Sequence, residues 1–247
     1  MKINLANISE ERPIDGWVYL GYLRGSYLYE TNDENSDIDM LYVANDDVEL
    51  IPNENYVSAD CVKADKRIYQ TTFEDVDLIV VKYSDFVSMI EEQSPLALEA
   101  IFSPQSEGIH RSPNEVFLDL YKLDKGKLRE SFGSIASNSF VKAKKKMTVK
   151  ESYDIRCALK SLFHSIRLLM FACQIAENGR ITDFKCAVPL WEEITEDYKK
   201  GFVWEDFKKK YRPIWNEWHS KMVKLCPKPK ELYKNNKRNI WVINKGS

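Results

Sequence analysis

The stretch that most constrains this chain runs from Gly25-Ser26 to Asp37-Ile38-Asp39. The apolar residues Ile38, Met40 and Val43 predict a strand over 38–43 that is anchored in a core. Residues i and i+2 of a strand project to one face, so Asp37 and Asp39 are expected side by side, roughly 6–7 Å apart along the backbone. Two such carboxylates repel each other. A hard divalent cation such as Mg²⁺ removes the repulsion, because it binds carboxylate oxygens together with water and phosphate.

The Gly25-Ser26 pair predicts a tight turn after an apolar strand at 17–23. Glycine has no side chain, so backbone N–H groups at such a turn can approach an anion closely. Carboxylates that hold a metal and a turn that holds phosphate are together what phosphoryl transfer requires. A solvated, Asp-rich loop is the alternative interpretation. The presence of both features at this spacing favours a metal and phosphate site.

Arg24-Gly25-Ser26, Tyr29 and Ser36-Asp37-Ile38-Asp39 resemble the signature of the DNA polymerase β nucleotidyltransferase superfamily. The form is most similar to the predicted bacterial and phage nucleotidyltransferases associated with RNA-repair ligases, over most of residues 17–180. The resemblance implies an enzyme that binds an NTP with Mg²⁺ or Mn²⁺, transfers a nucleoside monophosphate to an acceptor hydroxyl and releases pyrophosphate. It suggests RNA ends as acceptors, whereas protein side chains and antibiotics are acceptors in the wider superfamily. No residue identifies the acceptor or the nucleotide.

The resemblance also implies roles for particular residues. Asp37 and Asp39 would hold two metals. A third acid on a neighbouring strand would hold one of them and act as base toward the acceptor hydroxyl. Asp77, in the strongly strand-like run 75–83, is the candidate for this third acid, and Asp75 stays an alternative because it shares a face with Asp77. The residues assigned to nucleotide binding in this half are Gly25, Ser26 and Ser36.

A second informative segment is the helix predicted over 150–178. At 100° per residue, four basic side chains fall within about 40° of one line that borders an apolar arc. They are Arg156, Lys160, His164 and Arg167. A solvated basic flank with its stems on apolar surface is the alternative. The spacing Lys160-x-x-x-His164-x-x-Arg167-Leu168-Leu169 resembles a helix motif of the ligase-associated group, which implies that Lys160, His164 and Arg167 bind the triphosphate opposite the metal carboxylates.

Charge and cysteine usage limit the partners and the compartment. The formal net charge is −2, but 1–60 is acid-rich and 140–160 and 199–240 are lysine-rich. The lysine run at 142–146 is either a solvated face or a place for an RNA backbone. Five cysteines without a C-x-x-C pair argue against zinc and disulfides and favour reduced thiols. Without a signal peptide or an apolar run of membrane-spanning length, a cytoplasmic protein with no membrane partner is expected.

The order of elements predicts an α+β protein, because strands come first and helices afterwards. A small mixed β-sheet nucleotidyltransferase core is expected at 1–112. A helical half that closes the nucleotide cleft, with a basic tail, is expected at 113–247. Its predicted helices are 114–122, 127–147, 150–178 and 203–225, with Pro213 kinking or breaking the last. A catalytically silent nucleotide-binding or antitoxin-like module on the same fold is the alternative to an enzyme.

Overall fold

The computed structural model describes residues 2–4, 18–34, 36–51, 67–73, 76–104 and 114–228. The chain forms two compact units. We call Met1–Lys122 with Asp183–Val188 the sheet unit, and Leu123–Thr182 with Pro189–Ser247 the helical unit. The predicted α+β organisation, with a small mixed sheet followed by helices, is confirmed. The predicted boundary at 112 lies outside the described residues.

The sheet unit is built on a four-stranded mixed sheet with the strand order β2-β3-β6-β5. The strands of the unit are β1 (Lys2–Asn4), β2 (Val18–Arg24), β3 (Ile38–Ala44), β4 (Glu49–Ile51), β5 (Tyr69–Phe73) and β6 (Val76–Lys82). β3 and β6 are parallel, and the other two pairings of this sheet are antiparallel. β1 and β4 form a separate parallel pair. The strands predicted at 17–23, 38–43 and 75–83 are therefore confirmed to within about one residue at each end.

Both faces of the mixed sheet are packed. Met40 and Leu78 belong to an apolar cluster on one face. Their neighbours Leu41 and Ile79 project to the opposite face, because side chains alternate along a strand. Ile38 was predicted to anchor β3 and is instead 38% exposed, so that prediction is wrong. Ile38 is the first residue of the strand and lies beyond the end of the apolar cluster.

The described residues of the sheet unit include four helices: α1 (Gly25–Tyr29), α2 (Tyr83–Glu91), α3 (Pro95–Phe102) and α4 (Asn114–Leu120). Pro95 occupies the first turn of α3, where the missing N–H of a proline costs no hydrogen bond within the helix. The first turn of α2 is not capped by the side chain of its N-cap residue, Lys82. The Ser84 N–H and hydroxyl donate to Oδ1 of Asp46, at 3.0 and 2.9 Å, so an aspartate from the turn after β3 satisfies this helix end.

Beyond α4, the described helices are α5 (Lys125–Thr148), α6 (Ile155–Asn178), α7 (Val188–Lys199) and α8 (Trp204–Leu225), with a 3₁₀ turn at Lys150–Ser152. α6 starts five residues later than predicted, where Asp154 accepts a hydrogen bond from the Cys157 N–H at 3.0 Å. α7 was not predicted. α8 continues through Pro213, so the predicted break does not occur; the buried Tyr211 and Trp215 hold the helix on either side of the proline. In the described ranges, no helix is both long and apolar enough to cross a membrane.

Candidate active site

Asp39 and Asp77 lie side by side on neighbouring parallel strands. They are register partners in the β3–β6 ladder. Each lies two residues before a buried residue of the same face, Leu41 on β3 and Ile79 on β6. Both aspartates are half-buried. The sheet therefore presents two carboxylates together at the amino ends of β3 and β6, where its buried face meets the solvent.

Gly25 lies directly against the carboxylate of Asp39. A Cβ atom on Gly25 would lie 1.8 Å from Oδ2 of Asp39. The preceding residue, Arg24, is the register partner of Asp39 across the β2–β3 ladder, which explains why the two segments meet. Gly25 has φ of +69°, a left-handed conformation that favours glycine. The sequence predicted a glycine at which an anion can approach the backbone closely. The structure places the carboxylate of Asp39, a residue of the same chain, beside this glycine.

Asp37 lies immediately before β3 and is exposed. Asp37 and Asp39 were predicted to lie on one face of the same strand. Asp39 lies within the β3–β6 ladder, whereas Asp37 lies just before β3 begins. In the described part of the chain, no group of three or more acidic, histidine or cysteine side chains is placed to hold a metal. Asp75, the alternative to Asp77, lies outside the described residues.

The donor set at this place fits Mg²⁺. This cation is usually bound by one or two carboxylates, with substrate phosphates and water supplying the other oxygens. Asp39 and Asp77 are such a pair, held in register by two neighbouring strands. Asp37 stands at the solvent-exposed entrance to the same strand. The roles of the three residues as metal ligands stay predictions.

Ser26 and Ser36 flank the aspartates in different local structures. Ser26 is in the first turn of α1, and its carbonyl accepts the Thr31 N–H at 2.9 Å. The Ser36 hydroxyl donates to Oδ1 of Asp33 at 3.0 Å and accepts the Asp33 N–H at 2.9 Å. These bonds close the turn that leads into β3. The assignment of both serines to nucleotide binding stays a prediction.

The short helix α1 is attached to the unit by contacts that sequence reasoning did not foresee. The Tyr29 hydroxyl donates to Glu99 of α3, and both side chains are buried. Glu30, which ends α1 with φ of 56°, forms an ion pair with Lys185. The available sequence signal was Glu99, an acid within the apolar run of α3. An acid at such a position is expected to be buried, and a buried acid requires a partner.

In the helical unit, α6 carries the predicted basic line, but its members differ in exposure. Lys160 is exposed, His164 is half-buried and Arg167 is only 2% exposed. The Arg167 guanidinium lies 5.8 and 5.0 Å from the ring centroids of Phe163 and Phe171. Its Nη2 is 2.6 Å from Nδ1 of His164. A guanidinium only donates, so Nδ1 accepts and this imidazole is the tautomer protonated at Nε2. Phosphate binding by Lys160, His164 and Arg167 stays a prediction.

A second polar cluster in the helical unit joins α7 to α8 and was missed with α7. Asp197 is buried and accepts hydrogen bonds from Lys210 Nζ and the Tyr211 hydroxyl, both at 2.6 Å. Burial acts to raise the pKa of Asp197, but the hydrogen bonds from Lys210 and Tyr211 outweigh it and hold the pKa below its usual value. Burial, with the bond to Asp197, raises the pKa of Tyr211 well above its usual value. This cluster is a structural connection between helices.

No family model matches the chain, and no curated protein matches it significantly. Among solved structures, it is similar to a nucleotidyltransferase-like protein from Exiguobacterium sibiricum 255-15. The identity is 12%, the match covers 90% of this chain and 72% of that chain, and the TM-score is 0.27. A likeness this distant supports no argument about function, so any functional assignment depends on the residues of this chain.

Proposed function

We propose that this protein is a metal-dependent nucleotidyltransferase that transfers a nucleoside monophosphate from an NTP to an acceptor hydroxyl. The observation that supports this best is the pairing of Asp39 with Asp77 across β3 and β6, with Gly25 packed against Asp39. A divalent cation would stabilise two neighbouring carboxylates, which otherwise repel each other. Because Gly25 has no side chain, the Asp39 carboxylate can occupy the space beside it.

Each residue has a distinct task in the proposal. Asp37, Asp39 and Asp77 would hold Mg²⁺ or Mn²⁺, which would supply positive charge to neutralise the phosphates. Asp77 also takes the proton of the acceptor hydroxyl as its oxygen attacks the α-phosphorus. The bond to the β-phosphate oxygen breaks, and pyrophosphate leaves with that electron pair. Gly25, Ser26 and Ser36 bind the nucleotide, and Lys160, His164 and Arg167 of α6 bind its triphosphate.

The direct test is a screen of acceptors. Each of the four α-³²P-labelled NTPs is incubated with Mg²⁺ or Mn²⁺ and with total RNA, total protein or a small-molecule extract. Label is expected in one acceptor class and in no reaction that contains EDTA. Asp39→Asn should incorporate no label. Asp119→Asn, which changes an exposed acid on α4 of the same unit, should behave like the unchanged protein.

The alternative of a catalytically silent nucleotide-binding or antitoxin-like module gives a different result. Such a module would be stabilised against heat by an NTP, because a ligand that binds only the folded state raises its stability. It would incorporate no label into any acceptor class. Heat stabilisation without incorporation would therefore replace the enzyme proposal by the binding module.

A further inference from the structure

Charge divides the two units of the chain sharply. The sheet unit has 25 Asp and Glu against 10 Lys and Arg, a formal charge of −15. The helical unit has 26 Lys and Arg against 13 Asp and Glu, a formal charge of +13. The overall charge of −2 conceals this contrast. A polyanion is therefore attracted to the helical unit and repelled by the sheet unit.

Two long helices of the helical unit, α5 and α8, run antiparallel. Near the start of α5, Nη1 of Arg129 donates to the carbonyl of Cys226, just past the end of α8, at 3.3 Å. Eleven residues further along α5, the ring of Phe140 lies 6.1 Å from that of Trp215. Moving forward along α5 thus means moving backward along α8. The lysine run at 142–146 on α5 lies level with the first half of α8.

The contact between Arg212 and Phe140 places further cations together. The Arg212 guanidinium lies 4.8 Å from the Phe140 ring centroid and 4.4 Å from that of Trp215. Residues four apart share one side of a helix. Lys144, four after Phe140, and Lys208, four before Arg212, therefore lie one turn further along the same sides of the two antiparallel helices. We call Lys144, Lys145, Lys208, Lys209 and Arg212 the basic face.

The charges of the basic face are largely uncompensated. Its α8 members line a shallow depression together with one acid, Glu205. Glu205 is already paired with Lys208 at 3.3 Å. Within the described ranges, the exposed lysines Lys144, Lys145 and Lys209 take part in no ion pair. Their charges are thus available to a partner in solution.

The chemistry of the face points to phosphates and not to a lipid surface. A helix that lies in a membrane interface combines basic residues with an exposed apolar side. In the described part of the helical unit, the exposed large apolar side chains include none on α8, and those on α5 are Ile135 and Val141, which are six residues apart and form no continuous apolar side. Lysine and arginine side chains without a continuous apolar side are typical of contacts to the nucleic-acid backbone, which supply affinity without reading sequence.

We propose that the basic face binds the phosphate backbone of a nucleic-acid strand. That this strand is also the acceptor rests on the proposed function, because its terminal hydroxyl would receive the nucleotide. Binding itself requires neither metal nor NTP. The two claims can therefore fail separately.

The test is fluorescence anisotropy with a labelled 20-nucleotide RNA and the full chain, without metal or NTP, over a range of salt concentrations. Lys144→Ala/Lys209→Ala removes one exposed lysine from each helix. Lys125→Ala/Lys224→Ala is the matched control, because it does the same at the opposite end of the same two helices. The first variant should raise the Kd at least fivefold and reduce the salt slope by about 1.4, at about 0.7 for each lost phosphate contact. The control should change the Kd less than twofold.

Three results would overturn the proposal: no RNA binding, equal weakening by both variants, or an unchanged Kd in the first variant. Binding to phosphatidylserine vesicles, with no binding to RNA, would replace it by a membrane surface. Equal binding of DNA of the same sequence supports recognition of the backbone. If RNA binding behaves as expected but no label is incorporated from any NTP, the proposal that the basic face binds RNA is retained. Only the proposal that the bound strand is the acceptor is then excluded.

Discussion

Gly25 and Asp39 are so close that the glycine cannot be replaced by any other residue without moving the aspartate. The three side-chain atoms of Asp39 nearest to a Cβ on Gly25 would lie at 1.8, 2.6 and 2.8 Å from it. Real Cβ atoms do not approach other heavy atoms this closely. The glycine of the motif thus fixes the position of a carboxylate on the adjacent strand β3.

Gly25→Ala should therefore abolish metal-dependent nucleotide binding. Its Cβ displaces the Asp39 carboxylate, and the positive φ adds strain of about 1–3 kcal/mol. The control is Gly179→Ala, which has φ of +76° but no atom within 4 Å of the new Cβ. The measurement is the rise in Tm caused by Mg²⁺ with an NTP. Gly179→Ala should keep this rise and Gly25→Ala should lose it. A similar rise in both variants would show that the Gly25–Asp39 contact has no role in binding.

Asp39→Asn and Asp77→Asn should each lower kcat by at least about 10²–10³-fold, the scale for loss of one positioned electrostatic group. The Tm of the metal-free protein should stay the same or rise slightly, because one of two neighbouring negative charges has gone. Circular dichroism and turnover are measured together, with Asp119→Asn as the control for an exposed acid of the same unit. Near-normal turnover in purified, folded Asp77→Asn would remove it from the metal site and favour Asp75.

Arg167 and Lys160 should respond differently, although both belong to the basic line of α6. Arg167→Ala should destabilise the helical unit by about 3 kcal/mol, since it removes a buried guanidinium and its contacts with Phe163 and Phe171. Lys160→Ala should leave the Tm unchanged, because Lys160 is exposed, and should weaken NTP binding.

Arg167→Lys separates the structural and the phosphate-binding roles of Arg167. Lysine lacks the planar fork, so it should recover only part of the stability and part of the roughly 2–4 kcal/mol of transition-state stabilisation that we expect Arg167 to provide. Both are measured, by denaturant unfolding and by kcat/KM for the NTP. If Arg167→Lys restores stability and kcat/KM is normal, Arg167 has only a structural role.

The Asp197 cluster predicts a specific loss of stability in acid. The pKa of Asp197 is lower in the folded chain than its usual value. The ionised carboxylate therefore contributes fully to the free energy of unfolding above about pH 4, and this contribution is lost as the pH falls through the pKa of the folded state. Asp197→Asn should lower stability at pH 7 and make unfolding less dependent on pH between about 5 and 3. The control is Glu192→Gln on the same helix, whose carboxylate is exposed. Equal acid sensitivity of Asp197→Asn and the unchanged chain would exclude this role.

The elements with a clear local pattern could be predicted from the sequence. The apolar run of β6 and the apolar arc of α6 are local signals, and both elements were found. α7 was missed because it is short and carries an early proline and several acids, which conceal the apolar stripe formed by Leu190, Trp191 and Ile194. Pro213 does not break α8, because the tertiary packing of Tyr211 and Trp215 outweighs the loss of one backbone hydrogen bond, and a kink at this residue stays a prediction.

The composition of the candidate site could be read from the sequence, but its contacts could not. Asp39 meets Asp77 through the register of two strands far apart in the chain, and Gly25 meets Asp39 through a second register that contains an irregularity between Val18 and Leu20. Local periodicity does not specify either register. The burial of Arg167 likewise depends on which side of α6 its neighbours cover.

The position of the transferred label tests the central claim most directly. ATP, or whichever NTP is active in the acceptor screen, is supplied in two forms, labelled at the α-phosphate or at the γ-phosphate. Transfer of a nucleoside monophosphate predicts label in the acceptor only from the α-labelled form, an equal amount of pyrophosphate, and neither product with EDTA or with Asp39→Asn. Label in the acceptor from the γ-phosphate, or α-label transfer that persists in Asp39→Asn, would contradict the assignment of a metal-dependent nucleotidyltransferase to this site.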